Sequence, residues 1–153
     1  MRRSLHFVPG GNEKMIAKAL TLPADGLILD LEDAVTPERK AATRPIVRGW
    51  LQNLDFAGRE RWVRMNPIFT EHAEADVAET IAGRPDGYVV PKPRRAEDVR
   101  RVAALIDAQE QAHAVPFGST RIILIATETP EGLLNIQEIA TASPRTVAVS
   151  WGI

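Results

Sequence analysis

Gly26-Leu27-Ile28-Leu29-Asp30-Leu31-Glu32-Asp33-Ala34-Val35 runs an apolar stretch into three carboxylates within four residues. The apolar half does not alternate. Strands of that kind are buried on both faces, as in parallel sheets covered by helices. Five other short runs read similarly, at residues 5–8, 62–65, 87–90, 121–126 and 146–151. The six runs recur about every 28 residues, a spacing suited to βα units.

Helix signals fill the gaps. Asn12 is a good N-cap, and Met15, Ile16, Ala19 and Leu20 then share a face. Thr36-Pro37-Glu38 combines a cap, a proline at the first helical position and an early acid. Pro45 and Gly49 interrupt that helix and predict a kink or break near Arg44. Residues 71–81 read as a short helix, and 97–112 as a longer one carrying Val99, Val102, Ala103 and Ile106. Thr129-Pro130-Glu131 repeats the start signal before Leu133, Leu134, Ile136 and Ile139.

Strands alternating with helices define an α/β protein. An open doubly wound sheet and a (β/α)8 barrel both fit that pattern. A full barrel takes roughly 250 residues, whereas this sequence has 153 and stops at Ser150-Trp151-Gly152-Ile153. A parallel sheet ending on a bare strand keeps an unpaired edge. Residues 1–153 therefore read as a single domain belonging to a longer chain. A terminus that falls inside a sheet is the alternative.

Composition narrows the function classes. Hydrophobic residues make up 44% and charged residues 25%, a globular balance. Nineteen Lys and Arg against 20 Asp and Glu leave a net charge of -1, so no global field draws nucleic acid or an anionic membrane. The absence of cysteine removes disulfides, thiolate metal sites and cysteine nucleophiles, and it fits a cytoplasmic protein. No run approaches the ~20 apolar residues of a membrane span, and the apolar start before Pro9-Gly10 is too short for a signal peptide. His6, His72 and His113 lack metal-ligand spacing. Neither glycine-rich nucleotide motif is present. Pro9-Gly10-Gly11-Asn12 suits either a phosphate or a plain βα turn.

Functional groups of parallel α/β folds collect at the carboxyl ends of the strands. Strand two ends in Asp30, Glu32 and Asp33, which need cations, donors or a metal, or else are solvated loop acids or a helix-capping pair. Strand three ends in Arg64, whose planar fork suits an anion or a buried ion pair with a strand-two acid. Strand four ends in Lys92 between two prolines, and strand five in Glu128 before a proline-started helix. Glu128 is either a hard-cation ligand or an acid favoured by the helix dipole. Acids on strands two and five and cations on three and four would face one rim. That pattern suits an anionic substrate and a divalent metal.

Arg3-Ser4-Leu5-His6-Phe7-Val8-Pro9-Gly10, Leu29-Asp30-Leu31-Glu32-Asp33-Ala34-Val35, Val63-Arg64-Met65-Asn66-Pro67, Val90-Pro91-Lys92 and Glu128-Thr129-Pro130-Glu131-Gly132 occur in that order. The set resembles the citrate lyase beta-subunit-like branch of the HpcH/HpaI aldolase family, which includes malyl-CoA and citramalyl-CoA lyases. The resemblance implies a (β/α)8 TIM-barrel type fold, here apparently truncated after about six strands. It also implies a cytoplasmic, Mg2+-dependent lyase that cleaves or forms a carbon–carbon bond in a malyl-, citramalyl- or citryl-CoA type ester. Other readings are a thioesterase, a pyruvate or oxaloacetate aldolase of the same superfamily, or a non-catalytic binding or assembly protein in this short form.

On that resemblance Glu128 is a direct metal ligand, and Glu32 and Asp33 hold metal-bound waters. Arg64 holds a carboxylate or keto oxygen of the substrate. Arg3 and the Gly10-Gly11 turn lie near the substrate or CoA end, and Lys92 holds a family-like position without an assigned role. A second metal ligand, an Asp, is expected beyond Ile153. The partners implied are a CoA thioester or oxo acid and other copies of the chain, as trimer or hexamer. The 153 residues alone are expected to lack lyase activity and to be prone to association.

Overall fold

The computed structural model describes residues 2–152. The elements follow in order: β1 (Leu5–Pro9), α1 (Glu13–Ala19), β2 (Gly26–Asp30), α2 (Pro37–Asn53), β3 (Glu60–Arg64) and α3 (Ala73–Thr80). Then come β4 (Gly87–Pro91), α4 (Ala96–Ala112), β5 (Arg121–Ile125), α5 (Pro130–Leu134), α6 (Ile136–Ala140) and β6 (Thr146–Ser150). All six strands form one parallel sheet in the order β1-β2-β3-β4-β5-β6. A doubly wound sheet reverses its strand order at a switch point. This sheet never reverses, so it is an unclosed arc of TIM-barrel type.

The sheet buries both faces at its centre. Every position of β2 and of β4 is buried, whereas no position of β6 is. The helix-facing layer is large and includes Leu27, Leu29, Val63, Tyr88, Val90, Ile122 and Leu124. The concave layer is smaller: Ile28, Trp62, Val89, Ile123 and Ile125, with Leu5 and Ala148 against it. Register explains how it packs. Trp62 lies between Ile28 on β2 and Gly87 on β4. A Cβ at Gly87 would collide with the Trp62 ring, so glycine there lets the indole lie across the strand.

Helix α2 runs unbroken through Pro45, against the expected break near Arg44. Proline does remove one intrahelical donor. Packing on both sides of it outweighs that loss. Arg44 is buried and donates Nε to Asp76 at 2.8 Å, while Val47, Trp50 and Leu51 bury the following turns. The helix expected after Thr129 is instead two short ones that meet at Asn135. Asn135 donates its side-chain amide to the Arg94 carbonyl at 2.8 Å. Leu133 and Leu134 are exposed, so Ile136 and Ile139 alone of the four predicted residues pack on the core.

Arg145, just before β6, ties that edge strand to α4. It donates Nη2 to Glu110 at 2.6 Å and Nη1 to the Thr120 carbonyl at 2.7 Å. Burial alone raises the Glu110 carboxyl. Its bonds from Arg145 and from the Thr120 and Gly118 N–H groups outweigh that and hold it at about 2. A depressed carboxylate stabilises the fold above its unfolded pKa of about 4.3, and that contribution disappears as pH falls through the folded value. Thermal stability is expected to fall between roughly pH 5 and pH 2. Glu110→Gln should flatten that part of the melting profile, and a profile as steep as wild type would refute the assignment.

Candidate active site at the carboxyl rim

The carboxyl ends of β2, β3, β4 and β5 bring together Asp30, Glu32, Asp33, Arg64, Lys92 and Glu128. Asp30 ends β2 opposite Arg64 on β3. Its carboxylate accepts from Arg64 Nε at 2.7 Å and Nη2 at 2.6 Å, a bidentate pair. The same carboxylate accepts from the Glu32 and Ala34 N–H groups at 2.9 and 3.1 Å, so it also shapes the loop. Of the two readings open for Arg64, the ion pair with a strand-two acid takes two of its three nitrogens. The remaining Nη1 lies 3.1 Å from Glu32 and 3.6 Å from Asp33. The guanidinium also stacks 4.8 Å from the Phe7 ring centre.

Glu32 is buried, Glu128 half-buried and Asp33 exposed. One oxygen of each lies within 4.8 Å of the others. Lys92 Nζ donates to Glu32 Oε1 at 2.6 Å and to Asp33 Oδ1 at 3.4 Å. The Lys92 N–H donates to Glu128 Oε2 at 3.1 Å. Burial lifts the Glu32 carboxyl above its ordinary range, against the pull of Lys92 and Arg64. For Lys92, burial works downward, but the bond to Glu32 prevails and raises it.

The chemistry of these donors fits a hard divalent cation. All three are carboxylate oxygens, the kind Mg2+ takes. Glu32 Oε2 is buried and has no hydrogen-bond partner among the described residues; its contact with Arg64 Nη1 is close but misaligned. A buried carboxylate oxygen left unpaired is costly, and a cation beside it would remove that cost. None of the three histidines belongs to the cluster.

Arg3 and Gly10 are not brought to this cluster. Arg3 precedes β1 and so lies at the opposite, amino end of the sheet. Its guanidinium and N–H bind Asp25, at 3.0 and 2.8 Å. The Asp25 carboxyl is held well below its usual range by those bonds. Gly10 follows β1 at the carboxyl end, where its N–H donates to the Asp30 carbonyl at 2.8 Å. A Cβ at Gly10 would meet that carbonyl oxygen at 2.5 Å, so the glycine serves close packing behind the acid loop. The expected Asp beyond Ile153 lies outside the described residues.

Two residues at the site, Lys40 and Asn66, were not singled out from the sequence, and for Asp30, part of the acid run, the pairing with Arg64 shows only in the register. Lys40 is buried on α2 and donates to the Leu31 and Glu32 carbonyls at 2.9 and 2.8 Å, gripping the loop from behind. Asn66 donates to the Leu31 carbonyl at 2.9 Å and to Asp76 at 2.7 Å. Nothing in the local sequence distinguishes Lys40 from a surface lysine.

A concave cavity of about 610 Å3 follows the inner face of the sheet, from Arg3 and Leu5 up to Asp33, Arg64 and Glu128, with Trp151 and Gly152 on one wall. Thr127 holds that wall, accepting from the Gly152 N–H at 2.9 Å and donating to the Gly152 carbonyl at 2.8 Å.

The fold is that of a known class. The chain belongs to the HpcH/HpaI aldolase/citrate lyase family, whose profile matches residues 3–153. It is 36% identical over 151 residues to the citrate lyase subunit beta of Escherichia coli, covering 99% of this chain and 50% of that protein. It is 35% identical over 150 residues to the (3S)-malyl-CoA thioesterase of Cereibacter sphaeroides, covering 98% and 48%. The chain spans about half the length of the curated relatives it matches. Among solved structures, protein CitE from Mycobacterium tuberculosis in complex with magnesium and acetoacetate superposes with a TM-score of 0.74 at 30% identity. That match covers 99% of this chain and 54% of the other. A Haloferax volcanii malate synthase superposes at 0.82 with 18% identity over 97% of this chain and 49% of that one, a likeness of fold. Among the described residues, no helix is long and apolar enough to cross a membrane.

Proposed function

We propose that residues 1–153 form most of one (β/α)8 barrel unit whose carboxyl rim is a Mg2+-dependent lyase site. The substrate is a hydroxyacyl-CoA of malyl, citramalyl or citryl type, cleaved into or formed from an acyl-CoA and an oxo acid. The convergence of Glu32, Asp33 and Glu128 beside Arg64 carries this reading. Family membership and the magnesium-bound CitE relative support it.

Glu128, Glu32 and Asp33 would hold the cation, with Glu128 as the ligand expected to matter most. Bound there, Mg2+ acts as a Lewis acid that lowers the energy of negative charge on a substrate oxygen. Arg64 is aligned by Asp30, so Nη1, beside Glu32 and outside the bidentate pair, is the nitrogen that would meet the oxygen of the emerging oxo acid. Asp30 is thus a positioning residue. Lys40 and Asn66 keep the Glu32-Asp33 loop from drifting. The partners in this reading are the CoA ester, the oxo acid and further copies of the chain.

The thioesterase-named relative supports a second reading, hydrolysis of the thioester without carbon–carbon cleavage. Incubating the full protein with malyl-CoA and Mg2+ separates the two. The lyase releases acetyl-CoA and glyoxylate and no thiol. The thioesterase releases free CoA, which a thiol reagent detects without background from these 153 cysteine-free residues. Thiol release without acetyl-CoA would overturn the lyase.

A further inference from the structure

Lys92 contacts all three carboxylates of the proposed cation site. It does so from an unusual backbone, with φ of 53° between Pro91 and Pro93. Residues other than glycine rarely adopt that left-handed conformation, and such strain collects at functional positions. In this loop the Lys92 N–H faces Glu128 Oε2 at 3.1 Å and the Ile125 carbonyl at 3.2 Å. The side chain meanwhile sends its ammonium to Glu32 at 2.6 Å and to Asp33 at 3.4 Å. The loop after β4 therefore links the acids after β2 to the acid after β5.

Resting on the metal site proposed above, we infer that Lys92 is a two-part positioning residue that sets the cation affinity of this rim. Its N–H fixes the Glu128 carboxylate. Its ammonium is a built-in rival for the charge of Glu32 and Asp33, and it holds divalent-ion affinity down. Two cations beside the same oxygens repel each other, more strongly where burial reduces screening. Arg64 also faces Glu32, but its fork is committed to Asp30. Lys40 meets only backbone carbonyls there. Arg64 Nη1 lies 3.1 and 3.6 Å from Glu32 and Asp33, but Lys92 is the cation that hydrogen-bonds both acids through its ammonium and Glu128 through its N–H.

The two parts separate by mutation. Asn tolerates the left-handed region, so Lys92→Asn keeps the N–H on Glu128 and removes the ammonium. Val is β-branched and resists that region, so Lys92→Val removes the ammonium and disturbs the N–H as well. Lys92→Arg keeps the charge. The probe is Mn2+, with free ion counted by electron paramagnetic resonance at pH 8 in the full protein. Circular dichroism checks that each variant is folded.

Lys92→Asn is expected to bind Mn2+ about tenfold more tightly than wild type, a change of about 1.4 kcal/mol. Lys92→Arg should stay within about threefold, and Lys92→Val should bind about tenfold more weakly than Lys92→Asn. If Lys92→Val does not fold, the Asn and Arg variants decide alone. Unchanged or weaker binding in Lys92→Asn overturns the inference. If Glu128→Gln abolishes Mn2+ binding while Lys92→Asn binds like wild type, the metal site stands and only the role of Lys92 fails. Wild-type Mn2+ affinity in Glu128→Gln, or no binding by any form, defeats the metal site itself.

Discussion

Glu128→Gln is expected to bind Mg2+ at least ~100-fold more weakly and to lose turnover of the CoA ester, with an unchanged melting temperature. Removing groups that merely support a metal ligand already costs 10–100-fold, and a direct ligand costs no less. The substitution is nearly isosteric. The Gln carbonyl oxygen can still accept the Lys92 N–H that now binds Glu128 Oε2, so the loop after β5 keeps its shape. What disappears is one negative charge of the three that converge within 4.8 Å. Calorimetric titration of Mg2+ into wild type and variant checks this. An affinity equal to wild type would remove Glu128 from the metal site.

Arg64→Lys is expected to harm both stability and chemistry although the charge is kept. The bidentate pair with Asp30 needs two parallel N–H donors, and a lysine offers one point charge on a flexible stem. Asp30 is 2% exposed, so a poorly matched partner leaves a buried carboxylate with fewer bonds. Removing a partner outright costs 3–5 kcal/mol, and a lysine should cost about half of that. At roughly 2–4 °C per kcal/mol for a domain of this size, the melting temperature should drop by about 3–10 °C. If Nη1 also meets the substrate, kcat/KM should fall ~100-fold or more beyond any loss of folded protein. Lower thermal stability with unchanged kcat/KM would leave Arg64 a purely structural residue.

The strands were legible because parallel strands buried on both faces leave unbroken apolar runs, and all six predicted runs are strands. The rim was legible for a related reason. In such sheets every carboxyl end points the same way, so acids after β2 and β5 and cations after β3 and β4 have to converge. Pairing within the rim was not legible. Arg64 had several acids in reach, and only the opposition of Asp30 and Arg64 in register shows which one takes the fork. Lys40 sits on a helix whose neighbours are exposed, and its inward course follows from how α2 packs. Pro45 shows the limit of local propensity, since the burial of Arg44 and Val47 carries the helix past it.

The uninterrupted strand order, β1 to β6, also bears on how the chain comes to be folded. Each strand pairs only with its sequence neighbours, about 28 residues away, so no strand pairing has to close a loop longer than one βα unit. Loop-closure entropy grows only with the logarithm of length, and chains rich in nearer contacts fold faster. The sheet can therefore grow from any nucleus by adding one βα unit at a time, each new strand docking on an edge already formed. The buried centre at β2 and β4 is the natural place for such growth to begin, and β6, with no fully buried position, the natural place for fraying. Native-state hydrogen exchange should rank amide protection in that order, with the Thr127–Gly152 clasp opening long before the strand that carries Asp30.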